Sequence, residues 1–168
     1  MNIIEAIAAR RSIRDFTEQE VTDEDVREFL TAGMNAPSAR NTQPWHFIVI
    51  RDRDTIDKIV DVCPNGSMLK KAPMAVLVLG DLSLTDDYWV VDCSAAVQNI
   101  LLAAEARDLG ACWVGVYPRQ PRIDGLKKLF GLPEEIMPHS LIALGHPAEK
   151  KAPNNNYKED RIRYEKWN

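Results

Sequence analysis

Apolar positions near the start of the chain recur at helical spacing. Ile3, Ile4, Ile7 and Ala8 predict a short amphipathic helix that ends on the basic run Arg10-Arg11-Ser12-Ile13-Arg14. Thr22-Asp23-Glu24-Asp25 has the form of a capping box, and Val26, Phe29, Leu30 and Gly33 follow on one face of a second helix. That helix gives way to a polar loop over residues 36–45. A β-rich stretch, 46–50, leads to Asp54, the expected N-cap of a helix with Ile56, Ile59, Val60 and Cys63 on its buried side. Pro64-Asn65-Gly66 then breaks the chain.

Further on the pattern changes from alternating to continuous. Residues 74–80 form an unbroken apolar run, suited to a strand covered on both faces. From 92 to 108 nearly every residue is Ala, Val, Leu or Ile, apart from Ser94, Gln98, Asn99, Glu105 and Arg107, so this helix is expected to be buried around most of its circumference. Two covers are open to it, a subunit interface or the chain's own sheet. Gly110 is expected to close it as a C′ glycine, with a buried strand following over 111–116. Leu126, Leu129 and Phe130 mark another helix, ended by Gly131 and Pro133, and a last strand occupies 140–144 before Gly145-His146-Pro147. Residues 148–168 turn polar, with Tyr157, Ile162, Tyr164 and Trp167 as spaced anchors. Such a tail is expected to lie across another surface, a partner's being one candidate.

A chain of 168 residues suffices for one domain with a true core, and no internal repeat or linker divides it. The apolar fraction of 45% and charged fraction of 27% exclude disorder, and a net charge of −4 gives no general attraction to nucleic acid or acidic membranes. Cys63, Cys93 and Cys112 are odd in number and far apart, without the paired spacing of a zinc or redox site; buried free thiols in a reduced, cytoplasmic setting are expected. No export signal or membrane-spanning run is expected either.

Candidate chemistry lies in two places. Arginine presents a planar fork of donors that matches phosphate, so Arg10, Arg11 and Arg14 around Ser12 have the composition of a phosphate clamp. Ser38, Asn41, Thr42 and Gln43 can both donate and accept, which suits the imide edge of a heterocycle. Each has a plainer reading: cations at a helix C-terminus are favoured by its dipole, and a loop rich in Pro, Ser and Asn can be simply a turn.

Four segments in this order resemble the FMN-dependent nitroreductase family. Arg10-Arg11-Ser12-Ile13-Arg14 is similar to its opening R-R-S-x-R, and Ala36-Pro37-Ser38 with Asn41-Thr42-Gln43-Pro44-Trp45 to its A-P-S-x-x-N-x-Q-P-W loop. Residues 92–115 are similar to its central helix and following strand, and Leu144-Gly145-His146-Pro147 to its closing turn. The resemblance covers nearly the whole chain. It implies an α+β fold, a three-layer α/β/α sandwich with a central mixed sheet, as one domain over 1–168 whose tail, 148–168, extends over the partner of an obligate homodimer.

The same resemblance implies two FMN sites at the interface. Arg10, Ser12 and Arg14 would hold the phosphate with Arg11 at the same edge; Pro37, Ser38, Asn41 and Gln43 would come from the other subunit against the isoalloxazine; Val114 and Gly115 would offer backbone near N5. Lys158, Arg161 or Arg163 would complete the phosphate pocket, with Arg161 preferred. The implied activity is transfer of two electrons from NADH or NADPH to nitroaromatics, quinones or related acceptors, with ping-pong kinetics and no protein catalytic residue, metal, nucleic acid or membrane. Reductive dehalogenation and a non-catalytic flavin- or phosphate-binding module are the alternatives. Larger members insert a helical segment over the flavin, whereas here the short stretch 81–88 stands in its place. Tyr88 and Trp89 are therefore the expected substrate wall, while Phe47 and Trp113 are assigned to the core and His46, His139 and His146 to structural roles.

Overall fold

A computed structural model describes residues 1–167. Asn168, the last residue of the tail, lies outside the described residues. The elements in chain order are α1 (Ile3–Ala9), α2 (Asp23–Met34), β1 (Trp45–Ile50), α3 (Arg53–Val62), β2 (Met74–Asp81), α4 (Trp89–Ala106), β3 (Gly110–Gly115), α5 (Gln120–Phe130) and β4 (Ile136–Gly145). The strands form one sheet in the order β1-β2-β4-β3, so the apolar run expected to be covered on both faces is a central strand. Side chains of a strand alternate between faces, and the core divides accordingly. Met74, Val76 and Val78 of β2, with Ile142 and Leu144 of β4, face α2 and α4. Ala75, Leu77 and Leu79, with Leu141 and Ala143, face α3 and α5. This is the expected three-layer sandwich.

The sheet departs from the mixed one expected. All three strand pairings are antiparallel, and parallel pairing among the described residues is confined to the isolated bridge between Ser12 and Ala111. An apolar run reports burial on two faces but not direction, which the intervening connections decide. The helix α3 and the 3₁₀ segment Pro64–Lys71 bring the chain back so that β2 runs against β1.

Local signals explain most helix ends. Thr22 and Asp25 form the predicted capping box, and buried Asp25 also accepts from Arg107 Nε and Nη2 at 3.1 and 2.8 Å, fastening α2 to the end of α4. The first of these partners, the Thr22 hydroxyl, together with Arg107 holds the Asp25 carboxyl below its ordinary value against the opposing effect of burial. The α3 cap is Asp52, whose side chain accepts from Thr55 N at 2.8 Å, rather than Asp54, which lies inside the first turn. Gly131 ends α5 in the left-handed conformation as expected (φ 61°). Gly110 does not end α4: Ala106 does, Asp108 carries the positive φ of 58°, and Gly110 opens β3. Its requirement is one of space, because a Cβ there would sit 2.8 Å from Ile13 Cγ2.

The chain's own sheet and α2 cover one side of α4, burying Cys93, Ala96, Val97, Ile100 and Ala104. An outer stripe stays uncovered within one chain, where Val91 is 63% exposed. The predicted apolar face of α1 is likewise outward: only Ala6 is buried, while Ile4 is 71% exposed. The three cysteines are free and buried, and burial pushes the Cys93 thiol up to about 12. No helix among the described residues is long and apolar enough to cross a membrane.

His139 is buried on β4 between two serines, with Nε2 3.2 Å from Ser94 Oγ and Nδ1 3.0 Å from Ser140 Oγ. The Ser94 hydroxyl donates its one proton to Val90 O at 2.7 Å, so the neutral ring that fits donates from Nε2 and accepts at Nδ1. Burial lowers its pKa from the ordinary 6.5 to about 4.

Two stability measurements check these packing arguments. Gly110→Ala should lose about 1–3 kcal/mol in urea unfolding, because Ile13 is buried and has little room to move. The unfolded chain binds a proton at His139 more readily than the folded one, so stability is intact above pH 6.5 and falls as pH drops toward 4. The loss should approach on the order of 3 kcal/mol, and His139→Gln should remove that part of the pH dependence.

Candidate active site

The basic run leaves α1 extended. Ser12 bridges Ala111, Ile13 N donates to Ala111 O at 3.0 Å, and the Ile13 side chain enters the core. Alternation then sets Arg10, Ser12 and Arg14 against Ile13 and Arg11. Arg11 is engaged elsewhere, its guanidinium donating to Ala152 O of the returning tail. The charges around Cys112 report the convergence: burial pushes its thiol up, while Arg14, a hydrogen bond with Ser12, Lys151 and Arg10, in that order, pull it down.

Lys151 is the residue that motif reading missed. Its Nζ donates to Ser12 O at 2.6 Å and pairs with Glu149 at 3.0 Å, while Glu149 Oε1 accepts from Arg14 N at 2.7 Å. The available signal was position, since Glu149-Lys150-Lys151 directly follow the turn that ends β4, two strands from the bridge at Ser12. Lys158, Arg161 and Arg163 are exposed, and Arg163 turns back on the tail to donate to Asp160 O at 2.7 Å.

The polar loop is held in an uncommon backbone conformation. Arg40, Asn41 and Gln43 have φ of 53°, 56° and 48°, and a left-handed non-glycine residue costs roughly 1–2 kcal/mol. Ser38 Oγ accepts from Gln43 N at 3.0 Å and Thr42 Oγ1 donates to Ala39 O at 3.1 Å, which closes the loop on itself. Two further bonds tie it to the segment before and within α4. Ala39 N donates to Asp92 Oδ1 at 3.0 Å, and Arg40 pairs with Asp87 at 3.1 Å while lying over the Tyr88 ring. The Thr85 hydroxyl first, and then Arg40, hold the Asp87 carboxyl below its ordinary value. Pro37, Asn41 and Gln43 are left exposed.

At the far end of β3, Val114 turns its side chain into the core and Gly115 is exposed, with nothing within 4 Å of an added Cβ. That strand end is open to a flat ligand. Arg122 Nη1 donates to Gly115 O at 2.8 Å beside it. Of the expected substrate wall, Tyr88 is 46% exposed, but Trp89 is only 5% exposed. Trp89 is committed to packing: its ring fills the space over Gly80 and stands edge-on to Tyr117 at 4.9 Å. Phe47 and Trp113 pack against the core as assigned.

One chain does not unite the two polar regions. Asp92, near the start of α4, touches the loop, whereas Glu105, near its end, lies within the influence of Arg10. Thirteen residues of helix separate them, about 20 Å. The sheet agrees, since β1, which follows the loop, and β3, beside the basic run, are its opposite edges.

Known proteins share this fold. The model of the nitroreductase family matches residues 7–84 and 63–146, spanning both polar regions. A relative from Methanothermobacter thermautotrophicus, provisionally named NADH dehydrogenase/NAD(P)H nitroreductase, is 48% identical over 169 residues, 99% of this chain and 88% of its own. A crystal structure from Parabacteroides distasonis with the same provisional name is 40% identical and superimposes with a TM-score of 0.96, covering 99% of this chain and 100% of that one. A provisionally named nitroreductase from Desulfovibrio desulfuricans, crystallised with FMN, is 33% identical with a TM-score of 0.85, covering 100% and 99%. With the family model matching ranges that include both polar regions, α4 and all four strands, and relatives this similar over nearly the whole chain, the chain belongs to the nitroreductase family.

Proposed function

We propose that this protein is an FMN-holding oxidoreductase that takes electrons from NAD(P)H, and that two copies of the chain form each flavin site. The observation that carries this reading is the separation of the basic run from the polar loop by the length of α4. Two copies related by a twofold axis, with their α4 helices antiparallel, would lay each loop against the other's basic run. The uncovered stripe of α4 and the outward Ile3, Ile4 and Ile7 of α1 provide apolar surface for such an interface. Beside them lies an apolar groove of about 360 Å³ lined by Met1, Ile3, Ala32 and Leu102. Exposed Tyr157, Tyr164 and Trp167 give the tail anchors for a partner surface. The relatives' names support the chemistry, one being an NAD(P)H-dependent FMN reductase from Bacillus subtilis that is 27% identical.

The residues fit a flavin nucleotide. Arg10, Arg14 and Lys151 beside Ser12 would supply charge-assisted donors for a phosphate, with Arg11, whose guanidinium donates to Ala152 O, at the outer edge and the exposed Arg161 as the tail's candidate to complete the set. Asn41 and Gln43, held exposed by the loop, present amides that donate and accept toward a ring's imide edge, with Pro37 and Ser38 beside them. The Ser38 hydroxyl already accepts from Gln43 N, so its own proton remains for a ligand. Val114 and Gly115 offer backbone at the open end of β3. FMN held there supplies a two-electron carrier between a nicotinamide and an acceptor that occupies the same face in turn, which gives ping-pong kinetics. The protein's own part is to bind, to orient and to place donors where negative charge accumulates on reduction. Nitroaromatics, quinones and similar small acceptors suit an opening bounded by Tyr88 rather than by an inserted helix.

Three measurements test the reading. Purified protein should be yellow, release FMN on denaturation and bleach with NADH or NADPH; a colourless protein that FMN cannot reconstitute would overturn the proposal, and a yellow one that never bleaches would make it a carrier. Arg10→Ala and Arg14→Ala should each weaken FMN binding roughly ten- to hundred-fold, the loss of a charge-assisted bond of about 1.5–3 kcal/mol. Lys151→Ala should do the same, and its Kd beside that of Arg161→Ala decides which tail cation completes the phosphate set.

A further inference from the structure

Asp92 is a buried carboxylate that the chemistry above does not use. It is 4% exposed and stands in the first turn of α4. Oδ1 accepts from Ala39 N at 3.0 Å, whereas Oδ2 is buried without a hydrogen-bond partner among the described residues. A buried carboxylate oxygen without a partner is unfavourable, so the residue's place in the core calls for a compensating role. Its one bond goes to the residue immediately before the left-handed Arg40 and Asn41.

The geometry points to Asp92 as a positioning residue: by holding the Ala39 amide, it keeps the 38–43 loop in the conformation that presents Asn41 and Gln43 to the ligand. Left-handed residues relax toward other backbone regions unless their surroundings determine them. Inside the loop, the bonds of Ser38 and Thr42 close the turn but do not attach it to the body of the protein. Attachment comes from two points, Asp92 on Ala39 and Asp87 on Arg40. The Arg40–Asp87 pair is solvent-exposed on both sides, and exposed pairs contribute little. The bond to Asp92 is the stronger of the two, since its acceptor is buried and the bond is partly shielded from water. Since Asp92 belongs to α4, the loop takes its position from the same helix that spans the distance to the basic run.

This inference rests on the flavin reading for what the loop presents, but the loop's attachment can be measured without flavin. In wild-type protein free of FMN, the Ala39 amide should exchange with deuterium at least tenfold more slowly than the Arg40 amide next to it; equal rates would overturn the inference without any variant being made. Trypsin cuts after Arg40 only when the loop opens. Asp92→Ala should accelerate that cut about tenfold or more while other sites stay protected, and Asp92→Asn, which keeps an acceptor for Ala39 N, should stay closer to wild type. A cleavage rate unchanged in Asp92→Ala would overturn the assignment, as would Asp92→Asn matching Asp92→Ala. With FMN added, Asp92→Ala should show a Kd raised about tenfold and Asp92→Asn a smaller rise. Failure of wild-type protein to bind FMN would count against the flavin reading alone, since exchange and cleavage report the loop by themselves.

Discussion

Burial of β2 and β4 on both faces is the constraint from which the rest of the molecule follows. Apart from His139 and Ser140 of β4, the residues that alternate along these strands are mostly apolar in both directions, and each face requires its own helical layer. With no free face, the centre of the sheet admits polar groups only where they satisfy one another, as His139 does with Ser94 and Ser140. Functional groups are therefore displaced to the strand ends and to the segments that run past the two edges. The basic run lies beside β3, the polar loop leads into β1, and Gly115 closes the opposite end of β3.

The helix α4 links these displaced pieces. Its apolar character is needed to cover the sheet, yet its two ends meet polar partners. Asp92 receives the loop at one end, and Arg107 fastens α2 at the other. A rigid helix between the loop and the basic run sets them about 20 Å apart along its axis. The uncovered stripe on the same helix offers the surface on which a second copy would resolve that separation. On the two-copy proposal, fold stability and site assembly depend on one element.

The tail and the short segment before α4 show how little chain is used to finish the site. Glu149 and Lys151 return to Arg14 and Ser12 and neutralise part of the charge concentrated there, while Arg11 is drawn away to a tail carbonyl. The short segment before α4 sets Asp87 and Tyr88 against Arg40. The exposed tyrosine thereby stands against a residue of the loop.

Much of this was present in the residues alone. The alternation at 3.6 and the continuous apolar runs determined the elements, since burial of apolar surface is the dominant force and its period is written in the sequence. The capping box at Thr22, the glycine ending α5 and the two polar motifs were also local, and needed no knowledge of the fold. What tertiary structure alone decided was direction, distance and occupancy of space. An apolar run does not encode whether its neighbours run parallel, and Gly110 looked like a helix end until Ile13 was found pressed against it. Trp89 looked like a substrate wall until Gly80 and Tyr117 enclosed it. Lys151 and Asp92 carried no motif, because their roles come from contacts 139 and 53 residues away in sequence, and such contacts exist only once the chain has closed on itself.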